Sequence, residues 1–286
     1  MGYPIQAIHI PKTIDNDLPL TDCSPGFGSV AKYVAVSTKE AGLDIASMSA
    51  SSTKVFILEV MGRHAGWIAA ASGLVADNSQ QPPHIILFPE VAFDREAFIA
   101  RVKKTVADYG YCVVVASEGV TYADGGLLSG SQSEDAFGHK QLGGVAPALC
   151  SMIKRSLGYK YHYAIADYLQ RSARHLASKT DIDQAYAVGK AAVEMALEGK
   201  NAIMVSIQRD AGKSYSWSLA EVGNGEKKMP SAFIRSDGFG ITQQARDYLL
   251  PLIAGEDYLP FKYGLPYYPQ LKNTLISKRC KQWTLS

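Results

Sequence analysis

The segment PKTIDNDL, residues 11–18, crowds Asp15 and Asp17 into one turn, two positions apart with Asn16 between them and Lys12 three residues before the first acid. A solvated loop capping the next helix is the simplest use for such a turn. Two further polar groups argue for chemistry instead: Met61-Gly62-Arg63-His64-Ala65-Gly66 and Glu118-Gly119. Together they supply two acids, a lysine, an arginine and a further glutamate. That set suits phosphoryl transfer to a sugar hydroxyl. One aspartate accepts the hydroxyl proton as the oxygen attacks phosphorus, and a second orients it or holds a divalent metal. Lysine and arginine offset the charge spread over the transferring phosphoryl oxygens. A glutamate accepts hydrogen bonds from sugar hydroxyls. Farther on, Tyr168-Leu169-Gln170-Arg171 adds a phenol and a guanidinium able to grip a phosphomonoester bidentately. Each group alone has a plain structural use: a sheet-edge cap for Arg63, a tight turn for Gly62 and Gly66, a helix-surface position for Arg171. Their convergence carries the reading.

The elements that must position these residues can be read from apolar patterning. Strands are predicted at 4–10, 54–60, 84–88, 111–117 and 202–208. Helices are predicted over 25–43, with Ser24 as cap and Pro25 at the first position, and over about 65–76, 94–109, 144–157, 181–199 and 240–253. Continuous apolar strands alternating with helices predict an α/β protein with a mainly parallel sheet. In such folds ligands bind beyond the carboxyl ends of the strands. The groups after 4–10, 54–60 and 111–117 would therefore share one rim. The stretch 210–235, with its Lys227-Lys228 pair, reads as a solvated loop.

Bulk properties exclude other classes. The chain has 286 residues, 47% of them hydrophobic, enough for a substantial core. Its 29 basic and 27 acidic residues give a formal net charge of +2, with no global pull toward nucleic acid or membrane. No apolar run is long enough to span a bilayer, and no signal peptide is visible at the start. Cys23, Cys112, Cys150 and Cys280 lie far apart, which argues against a disulfide framework or zinc site and for a reducing, cytoplasmic compartment. Cys112 is predicted to be a small core residue.

PKTIDND, EVMGRHAG (Glu59–Gly66), SEG (Ser117–Gly119) and YLQR at these separations resemble the phosphofructokinase family, and within it the pyrophosphate-dependent branch. The resemblance runs from the first residues to about 260. It implies two Rossmann-like lobes and a reversible transfer of phosphoryl from pyrophosphate to the 1-hydroxyl of fructose 6-phosphate, with Mg2+ as cofactor. It implies Asp15 as proton acceptor and Thr13, Ile14 and Asp15 lining the sugar site, with Asp17 beside them near the metal. Met61, Gly62 and Arg63 would contact the substrate, Glu118 its hydroxyls, and Tyr168 and Arg171 the 6-phosphate, with Leu169 and Gln170 in the same segment. Relatives using ATP carry glycine where this chain has Lys12; in pyrophosphate users that lysine stabilises the transferring diphosphate. Lys54 and Tyr168 stand where many ATP users have arginine and histidine. The family's glycine-rich GGDG- or GGDD-type donor loop is not found upstream of TIDND, and Asp124-Gly125-Gly126 falls elsewhere. The chain is therefore expected to be the C-terminal portion of a longer enzyme or a truncated member, its main metal ligand lying outside these residues. Residues 1–26 with 175–235 would form the remnant of a donor-side lobe, and 27–174 with 236–286 the sugar-phosphate lobe and tail. A homodimer or homotetramer is implied. Two alternatives stand beside this reading: a non-catalytic sugar-phosphate-binding chain, and an ATP-dependent 6-phosphofructokinase.

Overall fold

A computed structural model describes residues 5–130, 144–209, 215–220 as backbone, and 225–277. Two sheets organise most of them, and Phe261–Lys262 pairs antiparallel with Leu265–Pro266 in a small third one. The larger has four parallel strands in the order β3-β4-β2-β5: β2 (Val55–Val60), β3 (Ile85–Leu87), β4 (Cys112–Ser117) and β5 (Tyr161–Ile165). The smaller has the order β1-β6-β7, with β1 (Ile8–His9) parallel to β6 (Ile203–Arg209) and β7 (Tyr215–Ala220) antiparallel to it. The chain is α/β with mainly parallel sheets, as its apolar patterning predicts.

Alternation along the larger sheet divides the interior into two cores. Leu58, Val60, Ile86 and Val115 face a cluster built with α1 (Phe27–Met48) and α2 (Trp67–Ala71). Val55, Ile57, Val114 and Ala116 face a second cluster with α3 (Arg95–Tyr109) and α4 (Val145–Leu157). Both faces are thus covered, which is why these strands read as continuous apolar runs. Cys112 is fully buried in the second cluster, the small core residue expected. Burial pushes its thiol, and those of Cys23 and Cys150, up to about 12, so all three stay protonated and inert at neutral pH. No helix among the described residues is long and apolar enough to cross a membrane.

Asp94 caps α3, accepting from the amides of Glu96 and Ala97. At α1, however, Ser24 and Pro25 lie outside the helix and the cap position is Gly26, which has no side chain to offer. A distant carboxylate takes over: Asp181, in α6 (Lys179–Leu197), accepts from Gly26 N at 2.8 Å and Ser29 N at 3.1 Å. It satisfies orphan amides of the first turn and opposes the positive end of a 22-residue helix. In turn Ser178 caps α6.

Four strands escaped the patterning: β5, which is mostly exposed, β7, and the two-residue strands Phe261–Lys262 and Leu265–Pro266. The predicted strand 4–10 contributes only Ile8–His9 to the sheet, and the helix predicted over 240–253 divides into α7 (Gln243–Leu249) and a 3-10 turn, Leu250–Ile253. Cys280 lies outside the described residues.

Candidate active site

In the larger sheet β2 lies between β4 and β5, with Val60 opposite Ser117 and Glu59 opposite Ile165. Parallel pairing in this register brings three chain exits to one rim: Met61–His64 after β2, Glu118 after β4, and Tyr168–Arg171 just after β5, the last three residues opening the short helix α5 (Leu169–Ser172).

The first two exits interlock. Gly62 has φ +130°, a backbone conformation that side-chain-bearing residues rarely adopt. Its carbonyl accepts from Ser117 Oγ at 2.5 Å, and its amide donates to the Glu118 carboxylate. Gly119 packs so closely under this turn that a Cβ there would stand 1.9 Å from the Arg63 carbonyl oxygen. The glycine of SEG is thus required by the contact between the two loops. Gln170 joins the third exit: its Oε1 accepts from Met61 N at 3.3 Å and its Nε2 donates to Asp167 O at 3.0 Å. Its side chain is almost fully buried, with both ends of the amide bonded to protein.

The TIDND turn is held as a unit. Thr13 Oγ1 accepts from Asp15 N at 3.1 Å, and Thr13 bridges to Gly26 at the start of α1. Asn16 is the pivot, fully buried in the left-handed region at φ +56°. Asparagine tolerates that conformation better than most residues. Its Nδ2 donates to Tyr248 Oη at 2.9 Å, and its Oδ1 accepts from Ser24 N at 3.1 Å and from Lys227 Nζ at 3.3 Å. The asparagine between the two acids is therefore the anchor of the turn.

Electrostatics tie this turn to the rim. Burial, then the charge of Asp17, raises the Asp15 carboxyl above its ordinary range, opposed by Arg63, Lys12 and His64. Glu118 is pushed up to about 7, first by burial and then by Asp15 and Glu59; the Gly62 amide and the Arg63 cation act against the rise. Asp15, Arg63 and Glu118 thus feel one another's charge, although they leave different strands of two sheets.

Beside them lies a cleft of about 410 Å³ lined by Lys12, Ile14, Gln170 and Arg171 of the predicted set, with Ser29 and Arg174. Asp15, Arg63 and Glu118 are not in its lining. Tyr168 and Leu169 are exposed, and the Arg171 guanidinium stacks 4.1 Å over the Tyr168 ring. Lys54 turns away from this group and donates to the carbonyl of Ser49 at the end of α1.

Several residues without a predicted role support the rim. Glu59, almost wholly buried on β2, accepts from Gly144 N at 2.9 Å and Ala146 N at 2.7 Å and so caps α4. Burial raises its carboxyl while these amides oppose the rise. Glu90 accepts from Gly66 N and from Met229 N. Lys227, expected in a solvated loop, is half-buried against the TIDND turn, and removal from water lowers its ammonium to about 8. Only proximity reveals these partners, because they stand far away in the chain. For a metal, the described residues contain no cluster of three or more His, Cys, Asp or Glu side chains. Asp15 and Asp17 stand close enough for the Asp17 charge to raise the Asp15 carboxyl, and carboxylates are the donor type through which Mg2+ binds, together with substrate phosphates.

A family model described as "Phosphofructokinase" matches residues 2–196, and the chain belongs to that family. Among its relatives, the pyrophosphate–fructose 6-phosphate 1-phosphotransferase of Halomonas elongata is 61% identical over 290 residues, covering 100% of this chain and 69% of that protein. The crystal structure of a pyrophosphate-dependent phosphofructokinase from Marinobacter aquaeolei superposes with a TM-score of 0.86 at 60% identity, over 98% of this chain and 68% of the other. That from Nitrosospira multiformis gives 0.88 at 56% identity, over 99% and 69%.

Proposed function

We propose that this chain acts as a pyrophosphate-dependent phosphofructokinase. The 1-hydroxyl oxygen of fructose 6-phosphate attacks the terminal phosphorus of pyrophosphate, the bridging P–O bond breaks, and phosphate leaves. The proton of the hydroxyl passes to Asp15. The observation that carries this reading is the interlocking of the turns that bear Arg63 and Glu118, with Asp15 near enough for its charge to bear on Glu118. A raised carboxyl pKa makes Asp15 a better proton acceptor than a solvated aspartate, at the cost of ionising less readily. Arg63 and Lys12 supply cations for the developing phosphoryl charge. Glu118, Thr13, Ile14, Met61 and Gly62 bound the sugar, and Tyr168 with Arg171 receives the 6-phosphate. Gln170 acts here by fixing Met61 and the start of α5. Lys12 fills space that a nucleotide would need and adds charge where a smaller donor sits, which favours pyrophosphate over ATP.

Mg2+ belongs to the same proposal: Asp17 would lie near it, and the ion would neutralise phosphate charge during transfer. So do a cytoplasmic location, the lobe boundaries given above and a homodimer or homotetramer. The exposed edge strand β5, with Tyr163 and Ile165 open to solvent, offers one surface for such a contact, and light scattering reports it.

The test is a coupled assay on this chain with fructose 6-phosphate and Mg2+, first with pyrophosphate and then with ATP. Turnover with pyrophosphate alone supports the reading. Turnover with ATP alone assigns the ATP-dependent activity instead. Sugar-phosphate binding without turnover with either donor assigns a non-catalytic role.

A further inference from the structure

Five residues, 225–229, run across both loops of the candidate site. Glu226 Oε1 lies 2.6 Å from His64 Nδ1 beside Arg63. Lys227 N donates to the carbonyl of Asp17 at 2.6 Å, and the carbonyl of Lys227 accepts from Trp67 Nε1 at 3.0 Å. Met229 N donates to Glu90, the carboxylate that also receives Gly66 N. One strand of backbone thus grips the turn carrying Asp15 and Asp17 with one side and the turn carrying Arg63 with the other.

At its centre is a half-buried lysine whose ammonium is fully hydrogen-bonded to protein. Lys227 Nζ donates to Asp22 O at 2.8 Å, Thr21 O at 3.0 Å and Asn16 Oδ1 at 3.3 Å, and sits 5.4 Å from the Trp67 ring. Those three acceptors use all the protons of an ammonium. Two are carbonyls of the chain following TIDND, and the third is the side chain of the left-handed pivot. Taking an ammonium out of water is expensive, and burial here lowers its pKa to about 8 against the favourable pull of Asp22 and Asp17. Its three acceptors all belong to the TIDND turn or the chain that follows it, so what this cation holds is the position of the turn. Hydrogen bonds aimed at one pivot fix orientation to a fraction of an ångström, which is what proton abstraction from a bound hydroxyl requires.

We infer that Lys227 is a positioning residue for the phosphoryl-transfer reaction, and that residues 226–229 form a strap that keeps the proton acceptor on the TIDND turn in register with Arg63. This rests on the function proposed above. Lys227 itself touches neither substrate nor donor; it acts through Asn16 and Asp17.

The test uses the full chain bearing Lys227→Met, with Lys227→Gln as the variant that keeps donors and folds if the first does not. Two readouts are taken: kcat and KM for fructose 6-phosphate, and amide hydrogen exchange over 13–22 compared with α3. The strap predicts a fall in kcat of roughly 10–100-fold with KM within about threefold of the parent. It also predicts faster exchange over 13–22, with α3 unchanged. A kcat within about twofold of the parent, a rise in KM that accounts for the whole loss of kcat/KM, or unchanged exchange over 13–22 would overturn it. If the parent chain transfers no phosphoryl group, the proposed function fails separately. The exchange data then decide whether Lys227 holds the turn: unchanged exchange refutes the strap and a local increase upholds it.

Discussion

Replacing Glu118 by glutamine makes the protein more stable above about pH 4.5, and most of all at neutral and alkaline pH. The Glu118 carboxyl is raised from its ordinary 4.5 to about 7, chiefly by burial. Between those two values the folded chain keeps a proton that the unfolded chain has released. Stability from this group is therefore fully present below about pH 4.5 and falls as pH rises through 7. A rise of roughly 2.5 pKa units at about 1.36 kcal/mol each corresponds to about 3 kcal/mol lost above pH 7. Glutamine is neutral throughout and mimics the protonated acid, so Glu118→Gln escapes that loss. Urea unfolding of parent and variant at pH 5 and pH 8 isolates the effect, because the other titrating groups are common to both. The expected gap is small at pH 5 and grows to about 3 kcal/mol at pH 8 in favour of the variant. Glutamine cannot accept as many hydroxyl hydrogen bonds, so affinity for fructose 6-phosphate drops in the same variant. The Asp15 charge contributes to the Glu118 rise, so adding Asp15→Asn should shrink the gap at pH 8. A gap that is no larger at pH 8 than at pH 5 refutes the claim that an acid is held in this site against its own ionisation.

Two further outcomes follow from the same geometry. Lys12→Gly should weaken the use of pyrophosphate more than the binding of fructose 6-phosphate; equal losses for both ligands in steady-state kinetics count against the donor role of Lys12. Gly119→Ala should displace the turn bearing Arg63, since the new methyl would meet the Arg63 carbonyl at 1.9 Å. Overpacking of this kind costs about 1–3 kcal/mol, and thermal unfolding with an activity assay should show both lower stability and a marked loss of turnover.

What was legible in the sequence was local. Runs such as VFILEV and CVVVAS declare buried strands, and the polar residues that follow them, Arg63 and Glu118, mark where those strands end. Asp15 stands out in the sequence because two acids and a lysine share one turn. What escaped depends on partners distant in the chain. The true cap of α1 is Asp181, 155 residues beyond Gly26, and no local rule points to it. Asn16 looks like a spacer until Tyr248 and Lys227 are seen holding its side chain. Lys227 sits among charged residues that read as solvated, and only the fold half-buries it. Strand β5 was missed because YHYAI lies at a sheet edge with most of its side chains exposed, which erases the apolar run that marks the inner strands.

The account stands or falls on Asp15 as the acceptor of the sugar's hydroxyl proton. The most direct measurement is kcat of Asp15→Ala with pyrophosphate as donor, alongside the dissociation constant for fructose 6-phosphate by calorimetry. A working base contributes roughly 10²–10⁴-fold, so kcat should fall by that factor while the dissociation constant stays within about threefold of the parent. Turnover close to the parent's would contradict it.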